Sequence, residues 1–147
     1  MSANTGPEFV DTNVLVYAFD ASAGRKHFAA RALLERLWNE RMGCLSIQVL
    51  QEFFVTITHK VVNRLSVDEA AARIHEFTVW NVFSPDSNDV LAAIALHKKA
   101  QLSFWDAMVV HAAAEIGCRI LWTEDMSSGQ ILEGVEIRNP FAADRAS

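Results

Sequence analysis

The sequence is poor in cysteine, proline and glycine. Of its 147 residues, two are cysteines, three are prolines and six are glycines. Cys44 and Cys118 lie far apart and form neither a Cys-x-x-Cys motif nor a Cys/His ligand pattern, which excludes a disulfide framework and a zinc site of the usual spacing. We therefore expect both cysteines to be reduced, small buried residues.

Long apolar runs are also missing. The apolar stretches are interrupted every few residues, so none approaches the ~20 apolar residues that a membrane helix needs. The amino-terminal MSANTGPEF has neither the basic region nor the apolar region of a secretory signal. We expect a cytoplasmic protein that does not enter a membrane.

A basic excess is absent as well. The net charge is −5, from 13 basic and 18 acidic residues, which taken alone argues against a nucleic-acid partner. One local basic cluster lies between Gly24 and Arg41, where Arg25, Lys26, Arg31, Arg36 and Arg41 outnumber Glu35 and Glu40. This cluster fits a solvated outer helix face as well as it fits contact with RNA.

What the sequence does contain is a regular alternation of strand and helix patterns. The first strand ends at about Asp11, and later strands are predicted at about 44–46, 79–83, 119–123 and 135–138. Helices are predicted at about 24–42, with Gly43 as its stop, and at about 47–63, 67–77, 88–100 and 104–116. This order predicts one α/β domain over residues 1–147, with a core at about 8–141 and short loose tails. The expected sheet is mostly parallel, with about four to five strands and helices on both faces.

Serine residues mark three of the predicted helix starts. Ser46 is a plausible N-cap, and Ser66 with Glu69 forms a capping box. Ser103 with Asp106 fits a second capping box. The helix that follows is apolar nearly all round, so we expect it to be central in the fold.

Asp11 interrupts the apolar run FVDTNVLVYAFD. If the strand ends there, the carboxylate projects from the carboxyl edge of the sheet, where open α/β sheets build their sites. The alternative is that Asp11 caps the turn that follows. The residue alone does not decide between the two.

Three further carboxylates occupy equivalent places. Asp125 follows another strand, Glu52 lies on the polar stripe of a helix, and Asp106 lies in the first turn of another helix. Strand ends and helix starts meet at one edge of an α/β sheet. Such a cluster is costly unless a cation neutralises it, and oxygen-only ligands favour Mg²⁺ or Mn²⁺.

Four motifs carry a resemblance to a known family. VDTNVLVYAFD, SIQVLQEF, SFWDAMVVHAA and LWTEDM occur in this order, and together they resemble the PIN-domain family, specifically its VapC-type toxin ribonucleases, from about Phe9 to Phe141. The resemblance implies that the acidic metal-binding and catalytic set is Asp11, Glu52, Asp106 and Asp125. It also implies supporting roles for Thr12, Asn13 and Thr123, with Glu124 as an additional acid or a mere neighbour.

The resemblance also implies an activity. We expect a Mg²⁺- or Mn²⁺-dependent endoribonuclease that hydrolyses RNA phosphodiester bonds and is the toxin of a type II toxin-antitoxin system. Asp11, Asp106 and Asp125 would hold the metal, and Glu52 would contact the metal or a water. Implied partners are RNA, a second copy of the chain in a homodimer, and a small protein antitoxin.

Two other functions stay open. A phosphohydrolase or phospho-acceptor domain would use Asp11 as a nucleophile, although Thr12 and Asn13 follow where a second aspartate would be expected. A non-catalytic PIN-like binding module would have lost its acids to structural roles, whereas all four are present here.

The sequence contains four tryptophans: Trp38, Trp80, Trp105 and Trp122. An exposed indole can stack on a nucleic-acid base. Core or dimer packing is the expected use for at least three of them.

Overall fold

The computed structural model describes residues 6–142 of the chain, so most of the expected loose tails lie outside the described residues. Helices and strands alternate along this part of the chain, as the sequence predicts. The strands are β1 (Glu8–Val10), β2 (Gly43–Ser46), β3 (Asn81–Phe83), β4 (Ile120–Trp122), β5 (Ile131–Leu132) and β6 (Val135–Arg138). The helices are α1 (Thr12–Phe19), α2 (Arg25–Glu40), α3 (Ile47–His59), α4 (Val67–Phe77), α5 (Ser87–Ala100) and α6 (Phe104–Glu115), with a 3₁₀ turn at Ala21–Ala23.

The strands form one sheet in the order β3-β2-β1-β4-β6-β5. Every pair is parallel except the hairpin of β5 and β6. The mostly parallel sheet is therefore confirmed, and it has six strands where four to five were expected. The sixth strand, β5, has only two residues and no alternating pattern that the sequence could reveal.

Two groups of helices cover the sheet. Helix α1 packs on α2 and α3, and α3 packs on α4, whereas α5 packs on α6. Every residue of β1 and β2 is buried, as expected for strands that are covered on both faces. Helix α6 packs on β2, β4 and β6 and buries six of its twelve residues, which agrees with its predicted central place. No helix in residues 6–142 is long and apolar enough to cross a membrane.

Helix α1 is the main element that the sequence analysis does not assign. Its residues Val14, Leu15 and Val16 are all buried, so the helix has no polar face to produce a 3.6-residue pattern. Asp11 is its N-cap and accepts a hydrogen bond of 2.7 Å from the Thr12 N–H. The alternative that Asp11 caps the turn after β1 is thus confirmed. Capping does not exclude a second role for the same carboxylate.

Local signals at the helix starts are largely confirmed. Ser46 caps α3, and Ser66 and Glu69 form a complete capping box at α4. At α6, the Ser103 hydroxyl accepts from the Asp106 N–H at 3.1 Å, which is one half of a capping box. The other half was expected from the Asp106 carboxylate, which instead faces the acidic residues described below.

Gly43 has a different purpose from the one predicted. Helix α2 ends at Glu40, and Arg41 takes the left-handed conformation at its end with φ 58°. Gly43 opens β2, where an added Cβ would stand 2.4 Å from the Trp80 ring. The glycine is therefore needed for the close approach of this indole, and the prediction that it stops α2 is wrong.

Cys44 and Cys118 are both free and buried. Their burial agrees with the expected role of small core residues.

Candidate metal centre

Three carboxylates meet at the carboxyl edge of the sheet. Asp11 follows β1, Asp125 lies just beyond β4, and Asp106 lies in the first turn of α6. One oxygen from each of these carboxylates lies within 4.8 Å of the others. The parallel register of β1 and β4, with Val10 opposite Trp122, brings the first two acids together. We call these three residues the acidic cluster.

Glu52 lies at the margin of the acidic cluster. Its Oε1 accepts a hydrogen bond of 2.7 Å from the Thr12 hydroxyl, and its Oε2 accepts one of 3.2 Å from Gln48 Nε2. Its negative charge raises the pKa of both Asp11 and Asp106. The polar face of α3 therefore places Glu52 at the cleft and not in solvent. The Glu52 carboxylate oxygens are not among the three that lie within 4.8 Å of one another.

Thr123 and Asn13 orient the carboxylates. The Thr123 hydroxyl donates to Asp11 Oδ2 at 2.8 Å and accepts from the Asp125 N–H at 3.1 Å. The Asn13 side-chain amide donates to Thr123 Oγ1 and to Asp125 Oδ2, both at 3.1 Å. These hydrogen bonds join Thr123 to both Asp11 and Asp125, and they join Asn13 to Thr123 and Asp125. Thr123 and Asn13 therefore restrict the positions of the two carboxylates.

The electrostatics of the acidic cluster favour a bound cation. Burial, with the nearby charges of Asp125 and Glu52, raises the pKa of Asp11 to about 7, although hydrogen bonds from Thr123 and Thr12 oppose the rise. Burial and the same two charges also raise the pKa of Asp106. A divalent cation would relieve this repulsion. Three carboxylate oxygens at this spacing fit a hard ion such as Mg²⁺ or Mn²⁺.

Glu124 points away from the acidic cluster. Its carboxylate accepts hydrogen bonds from the Tyr17 hydroxyl at 2.6 Å and from Lys26 Nζ at 2.8 Å. Its backbone N–H donates to Asn13 Oδ1 at 3.2 Å. Of the two expectations for this residue, the geometry agrees with the mere neighbour, which supports the site through Asn13.

Gln48 is a site residue that the sequence analysis leaves without a role. Besides holding Glu52, its Nε2 donates to the Trp105 carbonyl at 3.4 Å and so links α3 to the first turn of α6. The available signal was its position four residues before Glu52, on the same helical face.

The basic cluster of α2 is largely neutralised by acids. Lys26 pairs with Glu124 at 2.8 Å, and Arg36 pairs with Glu8, also at 2.8 Å. Arg31 lies 3.6 Å from Glu35, one turn along the helix. These pairs favour the outer-face interpretation over contact with RNA phosphates.

Solved structures with a similar fold include several toxin-antitoxin proteins. A toxin-antitoxin complex from Klebsiella pneumoniae has 18% identity and a TM-score of 0.67, over 90% of this chain and 97% of that one. VapC20 from Mycobacterium tuberculosis, described as a toxin that cleaves the sarcin-ricin loop, has 23% identity and a TM-score of 0.59, over 78% and 86%. VapBC2 from Rickettsia felis, bound to a DNA fragment from its promoter, has 14% identity and a TM-score of 0.63, over 90% and 97%.

Sequence comparison identifies the family. None of the curated proteins compared with this sequence matches it. The model of the PIN domain matches residues 9–127, which include Asp11, Glu52, Asp106 and Asp125. That match spans most of the chain, and the order of strands and the acidic cluster agree with it. The chain therefore belongs to the PIN-domain family.

Proposed function

We propose that this chain is a divalent-metal-dependent endoribonuclease and the toxin of a type II toxin-antitoxin system. The observation that carries the proposal is the acidic cluster, whose three carboxylates lie within 4.8 Å of one another in a PIN-domain chain. The proposal assigns Asp11, Asp106 and Asp125 as the residues that hold Mg²⁺ or Mn²⁺.

Each residue of the site has a separate task in this proposal. A bound cation would lower the pKa of a water molecule and stabilise negative charge on the phosphate and the leaving oxygen. Thr123 and Asn13 hold the carboxylates of Asp11 and Asp125 in position through hydrogen bonds of 2.8–3.1 Å. Glu52 lies beside the cluster, where its carboxylate can orient the attacking water or accept its proton.

The partners in this proposal come from the similar structures. Two of these are named as toxin-antitoxin assemblies, and VapC20 is described as cutting the sarcin-ricin loop. By extension we propose an RNA substrate and a small protein antitoxin for this chain. The family resemblance is the ground on which we further propose a homodimeric assembly and a cytoplasmic location.

The test is incubation of the purified protein with total cellular RNA and Mg²⁺ or Mn²⁺, beside Asp11→Asn. We expect discrete cleavage products from the wild type only in the presence of metal. Residues that merely support metal ligands are worth 10–100-fold in activity, so the loss of a ligand should cost about 100-fold or more. The matched control is Asp68→Asn, the same change on the exposed surface of α4, which should cleave like the wild type.

Three outcomes would contradict the assignment. Equal metal-dependent cleavage by the wild type and Asp11→Asn would remove Asp11 from the mechanism. Covalent phosphorylation of Asp11 by a phosphate donor, without RNA cleavage, would instead favour the phosphohydrolase alternative. Metal binding with no cleavage of any RNA would favour a non-catalytic binding module.

A further inference from the structure

Trp105 differs from the other three tryptophans in its surroundings. Trp80 is 8% exposed, and the Trp122 indole N–H donates to Glu8 at 2.8 Å. Trp38 is 42% exposed, but its ring packs 5.9 Å from that of Trp80 and 5.7 Å from that of Phe77. Trp105 is 60% exposed, and its only ring contact in the described residues is with its sequence neighbour Phe104 at 5.0 Å. Contacts within the protein thus account for the positions of three indoles, but they do not account for the exposed position of Trp105.

This exposed indole belongs to the residue that comes immediately before Asp106 of the acidic cluster. Trp105 precedes Asp106 in the first turn of α6, and its carbonyl accepts the hydrogen bond from Gln48 that ties it to α3. Successive side chains on a helix diverge by about 100°. The indole therefore points in a different direction from the Asp106 carboxylate, and the hydrogen bond from Gln48 holds the backbone that carries it.

The charges around the site favour an aromatic contact with RNA. Lys26, a basic residue near the cluster, is already paired with Glu124. Since Glu124 already neutralises Lys26, attraction of the phosphate by this pair is weak, and a bound metal would supply it instead. An aromatic face binds a base irrespective of phosphate charge. Building on the proposed function, we infer that Trp105 stacks on an unpaired RNA base next to the scissile phosphate.

The alternative occupant is a second copy of the chain. The residues one turn further along α6, Met108 and Val109, are buried, so Trp105 does not begin an exposed apolar stripe on this helix. Exposed apolar side chains follow one another on α5 instead, at Leu91 and Ile94. An isolated indole beside the acids fits a base better than it fits a protein interface.

The test compares Trp105→Ala and Trp105→Phe, each combined with Asp11→Asn to prevent cleavage. Their affinity for a fluorescein-labelled, 12-nucleotide single-stranded RNA of mixed sequence is measured by anisotropy in EDTA, because Asp11→Asn is not expected to hold the metal and base stacking does not depend on it. We expect about 10-fold weaker binding for Trp105→Ala, and a loss of less than about 3-fold for Trp105→Phe, which keeps an aromatic face. Trp38→Ala, which removes a tryptophan packed against Trp80, is the matched control and should leave the affinity unchanged.

An abasic RNA of the same length identifies the contact as stacking. With this probe, Asp11→Asn alone and Asp11→Asn combined with Trp105→Ala should bind equally, because no base remains to be stacked. In the cleavage-competent background, Trp105→Ala should raise KM more than it lowers kcat. Thermal melting of each variant confirms that it is folded.

Three results would overturn the inference. If the wild type cleaves RNA, and Trp105→Ala neither weakens binding in the Asp11→Asn background nor slows cleavage in the wild-type background, stacking fails while the proposed function stands. If the wild type does not cleave RNA and Asp11→Asn does not bind it, both fail. If Trp105→Ala changes the mass measured by light scattering and weakens binding to the abasic probe just as much, the indole belongs to an interface between two copies.

Discussion

Glu8 and Asp11, three residues apart at β1, are both buried carboxylates with opposite electrostatic surroundings. Glu8 is 1% exposed and lies 2.8 Å from Arg36 and 2.9 Å from Arg119. Burial alone would raise its pKa, but hydrogen bonds from Arg36 and Trp122 and the two guanidinium charges outweigh burial and lower it. Asp11 has other carboxylates nearby and a raised pKa. The charge of Glu8 is thus neutralised by two arginines of the protein, whereas the carboxylate of Asp11 is buried near the like charges of Asp125 and Glu52.

The raised pKa of Asp11 predicts a pH-dependent stability in metal-free protein. Its pKa is about 7 in the folded state and 3.8 ordinarily, so the folded state binds the proton more tightly. The stabilisation is complete below about pH 4 and is lost as the pH rises through 7, by up to about 4 kcal/mol. Asp11→Asn cannot titrate. We therefore expect the free energy of unfolding of the wild type, relative to Asp11→Asn, to fall between pH 4.5 and pH 7.5.

Urea unfolding in EDTA at several pH values measures this difference. Comparison with the variant cancels the titration of the remaining groups, Glu8 among them. A wild-type advantage that stays constant over this range would mean that Asp11 ionises as an ordinary aspartate.

The acids of the site could be predicted from the sequence, but most of their partners could not. Asp11 and Asp125 follow recognisable buried strands, and the sheet-edge rule brings such residues together. The Glu8 partners lie 28 and 111 residues away along the chain, and the sequence has no local pattern that joins them. The same holds for Lys26 and Glu124, 98 residues apart.

At the scale of the element, the start of α6 separates helix capping from the acidic cluster. Ser103 supplies the cap, and Asp106 supplies a carboxylate whose pKa is raised by burial and by the charges of Asp125 and Glu52, although a hydrogen bond with the Ser103 side chain opposes the rise. Ser103→Ala should therefore cost about 1 kcal/mol of stability. Asp106→Ala removes a repelling charge and should cost less stability than Ser103→Ala, while it abolishes metal-dependent cleavage.

Thermal melting and RNA cleavage on the two variants test this separation. Ser103→Ala should keep most of its activity, since its carboxylate cluster is intact. A larger loss of stability in Asp106→Ala than in Ser103→Ala would instead support the predicted capping role of the Asp106 carboxylate.

The helices that the sequence predicts well are amphipathic, with one polar face and one apolar face. Helix α4 has a complete capping box and an amphipathic pattern, and its predicted bounds are those observed. Helix α1 buries Val14 through Val16 and has no such pattern, so neighbouring elements determine its position. Gly43 shows the same limit. A glycine is needed there because the Trp80 ring leaves no space for a side chain, and Trp80 is not a neighbour of Gly43 in the sequence.

At the scale of the whole molecule, alternation of strands and helices was enough to predict the class of fold. Parallel strands require crossover helices, and that requirement determines the layers. The order of the strands, with β1 between β2 and β4, depends on packing between distant segments. That order places Asp11 beside Asp125, so the sequence predicts the acids while tertiary structure determines their spacing.

Metal binding should stabilise the entire domain, because the acidic cluster joins β1, β4 and α6. An ion that binds only the folded state adds about 2.7 kcal/mol at 100 times its Kd, which for a domain of this size corresponds to about 5–10 °C in Tm. We expect the wild type and Asp68→Asn to show this shift with Mg²⁺ or Mn²⁺, and Asp11→Asn and Asp125→Asn to lose it.

The shift should shrink below about pH 6, since Asp11 must release its proton before the ion binds. NaCl at equal ionic strength separates binding from general screening. An equal shift in Asp11→Asn, or an equal shift with NaCl, would show that the ion does not bind at the acidic cluster.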